Sequence, residues 1–104
     1  MGTVGPNIEI THPTGPQDFT QPFSIRWRGV GAGVTRWWLC AGTSDGEWDV
    51  LSADMGTKLR AAIDVSDLSS DVKKLYVRLV YSRLNSSREE DDNFMTLPFE
   101  INRL

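Results

Sequence analysis

One cysteine, Cys40, and one histidine, His12, are all the thiol and imidazole that 104 residues hold. A lone cysteine excludes an intramolecular disulfide and any multi-cysteine zinc site. Clustered lysine and arginine are also missing, and the net charge is −3. A nucleic-acid binder that relies on a basic surface is therefore not expected. The longest apolar runs fall far short of the ~20 residues that span a bilayer. Residues 1–30 lack a basic start followed by an apolar signal core, so no membrane insertion is expected either. Apolar spacing at three and four residues is nowhere sustained, which leaves little room for helices.

What is present is strand alternation punctuated by turns. The chain is long enough for one core, and it divides into a flexible lead-in over residues 1–6 and a single domain over 7–104. Asn7-Ile-Glu-Ile-Thr11 alternates as a first strand, and Pro13, Gly15 and Pro16 mark a turn after it. In the next strand Phe23, Ile25 and Trp27 belong to the core, with Ser24, Arg26 and Arg28 in solvent. Gly29-Val-Gly-Ala-Gly33 lacks the Lys-Ser/Thr ending of a phosphate loop and no helix pattern follows it. It reads as a flexible hairpin or inter-sheet loop.

Val34 to Gly46 is the densest stretch, with two of the four tryptophans and the cysteine. Alternation puts Trp37, Leu39 and Ala41 on one face and Arg36, Trp38 and Cys40 on the other. Gly42-Thr-Ser-Asp-Gly46 is the turn that ends it. A short strand over Glu47–Leu51, a loop over Ser52–Gly56 and a strand over Leu59–Val65 follow, the last with Leu59, Ala61, Ile63 and Val65 inside. Leu75, Val77, Leu79 and Tyr81 form the core set of the next strand, with Tyr76, Arg78 and Val80 outside. After a polar loop over Ser82–Asn93, Phe94–Ile101 reads as the final strand, with Met95, Leu97, Phe99 and Ile101 facing in. Pro98 marks it as an edge. The sum is an all-β chain, a seven-stranded antiparallel Greek-key β-sandwich.

Three places carry a resemblance: Phe23-Ser-Ile-Arg-Trp27; Arg36-Trp-Trp-Leu-Cys-Ala-Gly-Thr-Ser44; and Val65-Ser-Asp-Leu68 followed by Leu75-Tyr-Val-Arg-Leu79. Over residues 8–81 the chain resembles the bacterial immunoglobulin-like and fibronectin type III-like sandwich domains that recur in large exported and cell-surface proteins. The resemblance implies an extracellular, periplasmic or cell-surface setting and a role as spacer or interaction module. Cys40, Ala41, Trp48 and the acidic segment Arg88-Glu-Glu-Asp-Asp92 depart from the pattern of that family.

Catalysis by hydrolysis needs a nucleophile oriented by a base, or two carboxylates at fixed separation. His12 and Cys40 carry no signature around them, and Cys40 reads as a small hydrophobe. Calcium would suit the carboxylates of Asp45, Glu47 and Asp49 or of Glu89 to Asp92, but neither group has calcium-loop spacing. Both read as solvated charge, so no enzyme, metal or cofactor is assigned. The sharpest binding signal is aromatic. If the Val34–Gly46 strand pairs with Leu75–Tyr81, then Trp38, Tyr76 and Val80 share a sheet face with Arg36 and Arg78, and Phe94 extends it. Aromatics flanked by arginine have the composition of an interaction hot spot. The expected partner is a neighbouring domain or another protein. The alternative is a polysaccharide stacked on Trp38, Tyr76 and Trp48.

Overall fold

Alternating burial along β-branched and aromatic runs dictates strands, and in the computed structural model every regular element among the described residues is one. The structure describes residues 2–5, 8–29, 33–44, 47–84 and 90–104, with side chains for all of these except 2–5 and 90–93. The strands are β1 (Gly2–Gly5), β2 (Ile8–His12), β3 (Phe23–Gly29), β4 (Val34–Gly42), β5 (Leu51–Gly56), β6 (Arg60–Ile63), β7 (Lys74–Leu84), β8 (Glu90–Met95) and β9 (Phe99–Asn102). They form two antiparallel sheets, ordered β1-β2-β3-β6 and β5-β4-β7-β8, with β9 also on β7. No helix among the described residues is long and apolar enough to cross a membrane.

Both sheets give one face to a shared core. Ile8, Ile10, Ile25, Trp27 and Ile63 come from the first sheet; Trp37, Leu39, Leu75, Val77, Leu79, Tyr81 and Ile101 come from the second. Trp27 meets Trp37 edge-on between the sheets at 6.2 Å, Trp37 meets Tyr81 at 5.7 Å, and Tyr81 stacks on Phe94 at 5.5 Å. Such pairs add about 0.5–1.5 kcal/mol each beyond the area they bury. Gly29 is shaped by this column. A Cβ there would sit 3.0 Å from the Trp37 ring, so the glycine leaves room for indole. Residues 30–32 of the expected loop lie outside the described residues, but β3 and β4, which flank them, belong to different sheets.

Among the described residues nine segments stand where seven strands were expected. Gly2–Gly5, within the expected lead-in, pairs with β2. The expected final strand is interrupted, and its two parts lie along the same edge of β7. Val80 pairs with Met95 and Val77 with Phe99, so three steps on β7 face four on its partner. That extra residue reverses the facing of everything before it. Phe94 therefore points inward, Met95 and Leu97 are 57% and 69% exposed, and Ile101 is buried.

Two further boundaries differ. Ser52–Gly56, expected as a loop, lies within β5, while Glu47–Val50 carries no strand. Pairing with β4 is already prepared at Val50, whose N–H donates to the Ala41 carbonyl at 3.0 Å. β5 then alternates polar Ser52 and Asp54 with Leu51, Ala53 and Met55, too weak an apolar signal to mark a strand. Leu59, expected in the core, is 47% exposed. It precedes β6 on the rim of an open hollow instead of lying beneath the opposite sheet.

The break between β8 and β9 is closed by a side chain. Thr96 is buried; its N–H donates to the Leu79 carbonyl at 2.9 Å, and its Oγ1 accepts the Leu79 N–H at 2.9 Å. The hydroxyl thus takes the place of a strand carbonyl where the chain bends away ahead of Pro98. Thr96→Val keeps the shape and leaves the Leu79 N–H without its acceptor. An unsatisfied buried donor costs about 1–3 kcal/mol. That loss is expected in chemical denaturation, with Thr96→Ser much closer to the original; equal stability of the valine variant would contradict the bridging role.

Candidate functional site

The β4–β7 register builds the outward face of the second sheet. Trp38 lies opposite Val80, Cys40 opposite Arg78, and Gly42 opposite Tyr76. On the other side of β4, Trp38 lies opposite Asp54 and Cys40 opposite Ser52. Trp38, Cys40, Ser52 and Val80 line a shallow hollow of about 270 Å³. Cys40 forms part of it and is only 7% exposed.

Each aromatic ring on this face carries a cation. The Arg36 guanidinium lies 5.0 Å from the Trp38 ring centre, Arg78 lies 4.4 Å from that of Trp48, and the Lys74 ammonium lies 5.9 Å from that of Tyr76. Contacts of this kind contribute about 0.5–1 kcal/mol at exposed sites. The cations are themselves steered. Arg36 reaches Asp54 through two nitrogens, with Nε to Oδ1 at 3.2 Å, and Lys74 pairs with Glu100 at 3.3 Å. These exposed pairs fix side-chain direction more than they stabilise the fold. Arg78 Nη1 donates to the Met95 sulfur at 3.3 Å, while its Nε is buried with no hydrogen-bond partner among the described residues.

Trp48 arrives from a segment that is not a strand, and Gly42 is the reason it can. A Cβ on Gly42 would fall 1.5 Å from the Glu47 carbonyl oxygen, so the Glu47–Trp48 backbone lies directly against the end of β4. That approach carries the indole over Arg78.

All six expected residues, Arg36, Trp38, Trp48, Tyr76, Arg78 and Val80, thus meet on or beside one face. Phe94 does not join them: the register change behind Thr96 turns it inward onto Tyr81. Met95 takes its place, opposite Val80. Asp54, Ser52, Lys74 and Glu100 also belong to the face. Ser52 and Asp54 come from β5, whose weak alternation reads as a loop, while Lys74 opens β7 and Glu100 belongs to β9, the second part of the expected final strand.

The other candidates are scattered. His12 is exposed on β2 in the first sheet, whereas Cys40 faces outward from the second. Of the expected acidic groups, Asp45 and Glu89 lie outside the described residues, as do the side chains at positions 90–92. Among the described residues no group of three or more acidic, histidine or cysteine side chains could hold a metal ion.

Asp54 is the titratable group most tied to this face. The hydrogen bond from Arg36, then that from the Gly56 N–H, holds its carboxyl below the ordinary carboxylate range. A folded-state value below the unfolded one gives a contribution present above the unfolded value and lost as pH falls through the folded one. In an NMR pH titration, Arg36→Gln is expected to raise the Asp54 value while Asp64, held down by Ser66, stays in place. An unmoved Asp54 would contradict the pairing. Gly42→Ala is expected to cost about 1–3 kcal/mol by overpacking and to change Trp48 emission as the indole leaves Arg78. Unaltered stability and emission would contradict the close approach. Comparison with protein-family models, curated proteins and solved structures found no match to this chain.

Proposed function

We propose that the chain is a non-catalytic module of a larger exported or cell-surface bacterial protein, acting as a spacer or adhesion-type interaction domain. Its sandwich is of the immunoglobulin-like or fibronectin type III-like, Greek-key kind. The strand arrangement supports that assignment, with β2, β3 and β6 in one sheet and β5, β4, β7 and the interrupted β8–β9 edge in the other. So does the placement of Trp27 and Trp37 between the sheets.

The observation that carries the functional reading is the cation over each ring of the outward β4–β7 face. Sugar stacking needs a bare ring face, and here guanidinium or ammonium groups lie on rings that a polysaccharide would use. Partly buried aromatics, arginines held in place and an exposed methionine favour a protein surface or an adjoining domain. The polysaccharide alternative is the weaker reading for the same reason.

Tryptophan fluorescence titrated with a broad polysaccharide panel is expected to stay unchanged. Hydrogen exchange compared between this chain and its full-length parent protein is expected to show added protection on β4 and β7 around Trp38 and Val80, reduced by Trp38→Ala. A saturable polysaccharide response lost in Trp38→Ala, or identical exchange in the two contexts, would contradict the proposal.

A further inference from the structure

The first sheet carries a concentration of charge on its own outward side that the β4–β7 face does not explain. Arg26 of β3 lies directly opposite Arg60 of β6. Lys58 lines the same hollow of about 570 Å³, together with Met55, Leu59 and the small Ala61 and Ala62. Like charges opposed across an antiparallel pair destabilise it. Nearby, the chain neutralises such a cation: Arg28, two residues along β3 from Arg26, reaches Glu9 at 3.2 Å. Among the described residues no carboxylate comes within ion-pair distance of Arg26, Lys58 or Arg60. Cations on an edge strand keep edges from pairing unspecifically, which accounts for Arg60. Arg26 guards no edge, because β3 is flanked by β2 and β6.

Among the described residues β6 is the open edge of this sheet, with β3 as its partner. The Trp27 N–H donates to the Leu59 carbonyl at 3.0 Å. Carried through the β3–β6 register, antiparallel alternation turns the main-chain groups of Ala61 and Ile63 toward β3 and those of Arg60 and Ala62 toward the open side. Arg60 and Ala62 are also the exposed residues of the outward face. A strand laid along β6 would bond to these two residues and set its own side chains opposite them among the cations. The residue between would point inward, over Ala61 and beside Leu59 and Met55.

We propose that β6 is a docking edge for an acidic extended peptide, which adds a further strand to the first sheet in the pattern acid–aliphatic–acid. Main-chain hydrogen bonds to Arg60 and Ala62 provide attachment, as in other cases of strand addition. The unpaired Arg26, Lys58 and Arg60 select carboxylates, and the aliphatic side chain fills the hollow over Ala61.

A short capped peptide of alternating glutamate and valine, titrated into the isotopically labelled chain, is expected to shift the amide signals of β6 first and to bind more weakly as salt rises. Arg60→Glu is expected to weaken binding about tenfold or more, since it places like charges together. Ala62→Pro removes an N–H that faces the open side, a position where proline is tolerated, and is expected to abolish binding. The peptide N-methylated on its glutamates carries the same test into the unaltered chain, should the proline variant not fold. Inorganic polyphosphate binding as tightly as the peptide, or peptide binding indifferent to N-methylation, would overturn the proposal in favour of a simple charged surface. Absence of any peptide binding would overturn it in favour of an edge that is only guarded.

Discussion

The pairing of β4 with β7 is the constraint on which both the core and the outward face depend. It aligns Trp37 with Tyr81, Leu39 with Leu79 and Ala41 with Val77 on the inner side, and Trp38 with Val80 and Cys40 with Arg78 on the outer side. Because successive side chains on a strand point to opposite faces, one register sets both surfaces at once. A slip of one residue would bury Arg78 and expose Leu79. The cost of that slip protects the arrangement of the exposed residues as firmly as that of the core, although the exposed residues add little stability themselves.

Legibility in the sequence followed the strength of alternation. β3, β4 and β7 carry large apolar residues at every second position, so their facing could be assigned from composition alone, and Trp37 separated from Trp38. β5 could not, because Ser52 and Asp54 alternate with a set no larger than Leu51, Ala53 and Met55. The last strand failed for a different reason. Its alternation is sound on either side of Thr96-Leu97-Pro98, but one extra residue in that break shifts the phase, and no single-strand pattern reveals which partner residue is skipped. Hence Phe94 was expected outside and Met95 inside, and the two are exchanged. The role of Thr96 as a substitute strand carbonyl was likewise invisible, since it depends on Leu79, seventeen residues away.

The glycines show how backbone contacts can imitate motifs. Gly29 opens a glycine-rich run suggestive of a phosphate loop, yet its lack of a side chain makes room for the Trp37 ring. Gly42 precedes a turn, yet what demands glycine there is the Glu47 carbonyl pressed against it. Each supports one of the tryptophans that stood out in the sequence: the buried ring between the sheets, and the ring of Trp48 over Arg78. Tryptophan thus serves this chain in two unlike environments, and the neighbouring glycine in each case sets how close the backbone or ring can come.

The β4–β7 register presents an ordered outward face in which guanidinium groups rest on aromatic rings before any partner arrives. The most direct measurement is the proton chemical shift of the Arg36 and Arg78 side-chain methylenes in the free protein. Ring currents from Trp38 and Trp48 are expected to move them well upfield, with Trp38→Ala releasing the Arg36 shift and leaving that of Arg78. Random-coil positions for both arginines in the folded chain would contradict a preformed face.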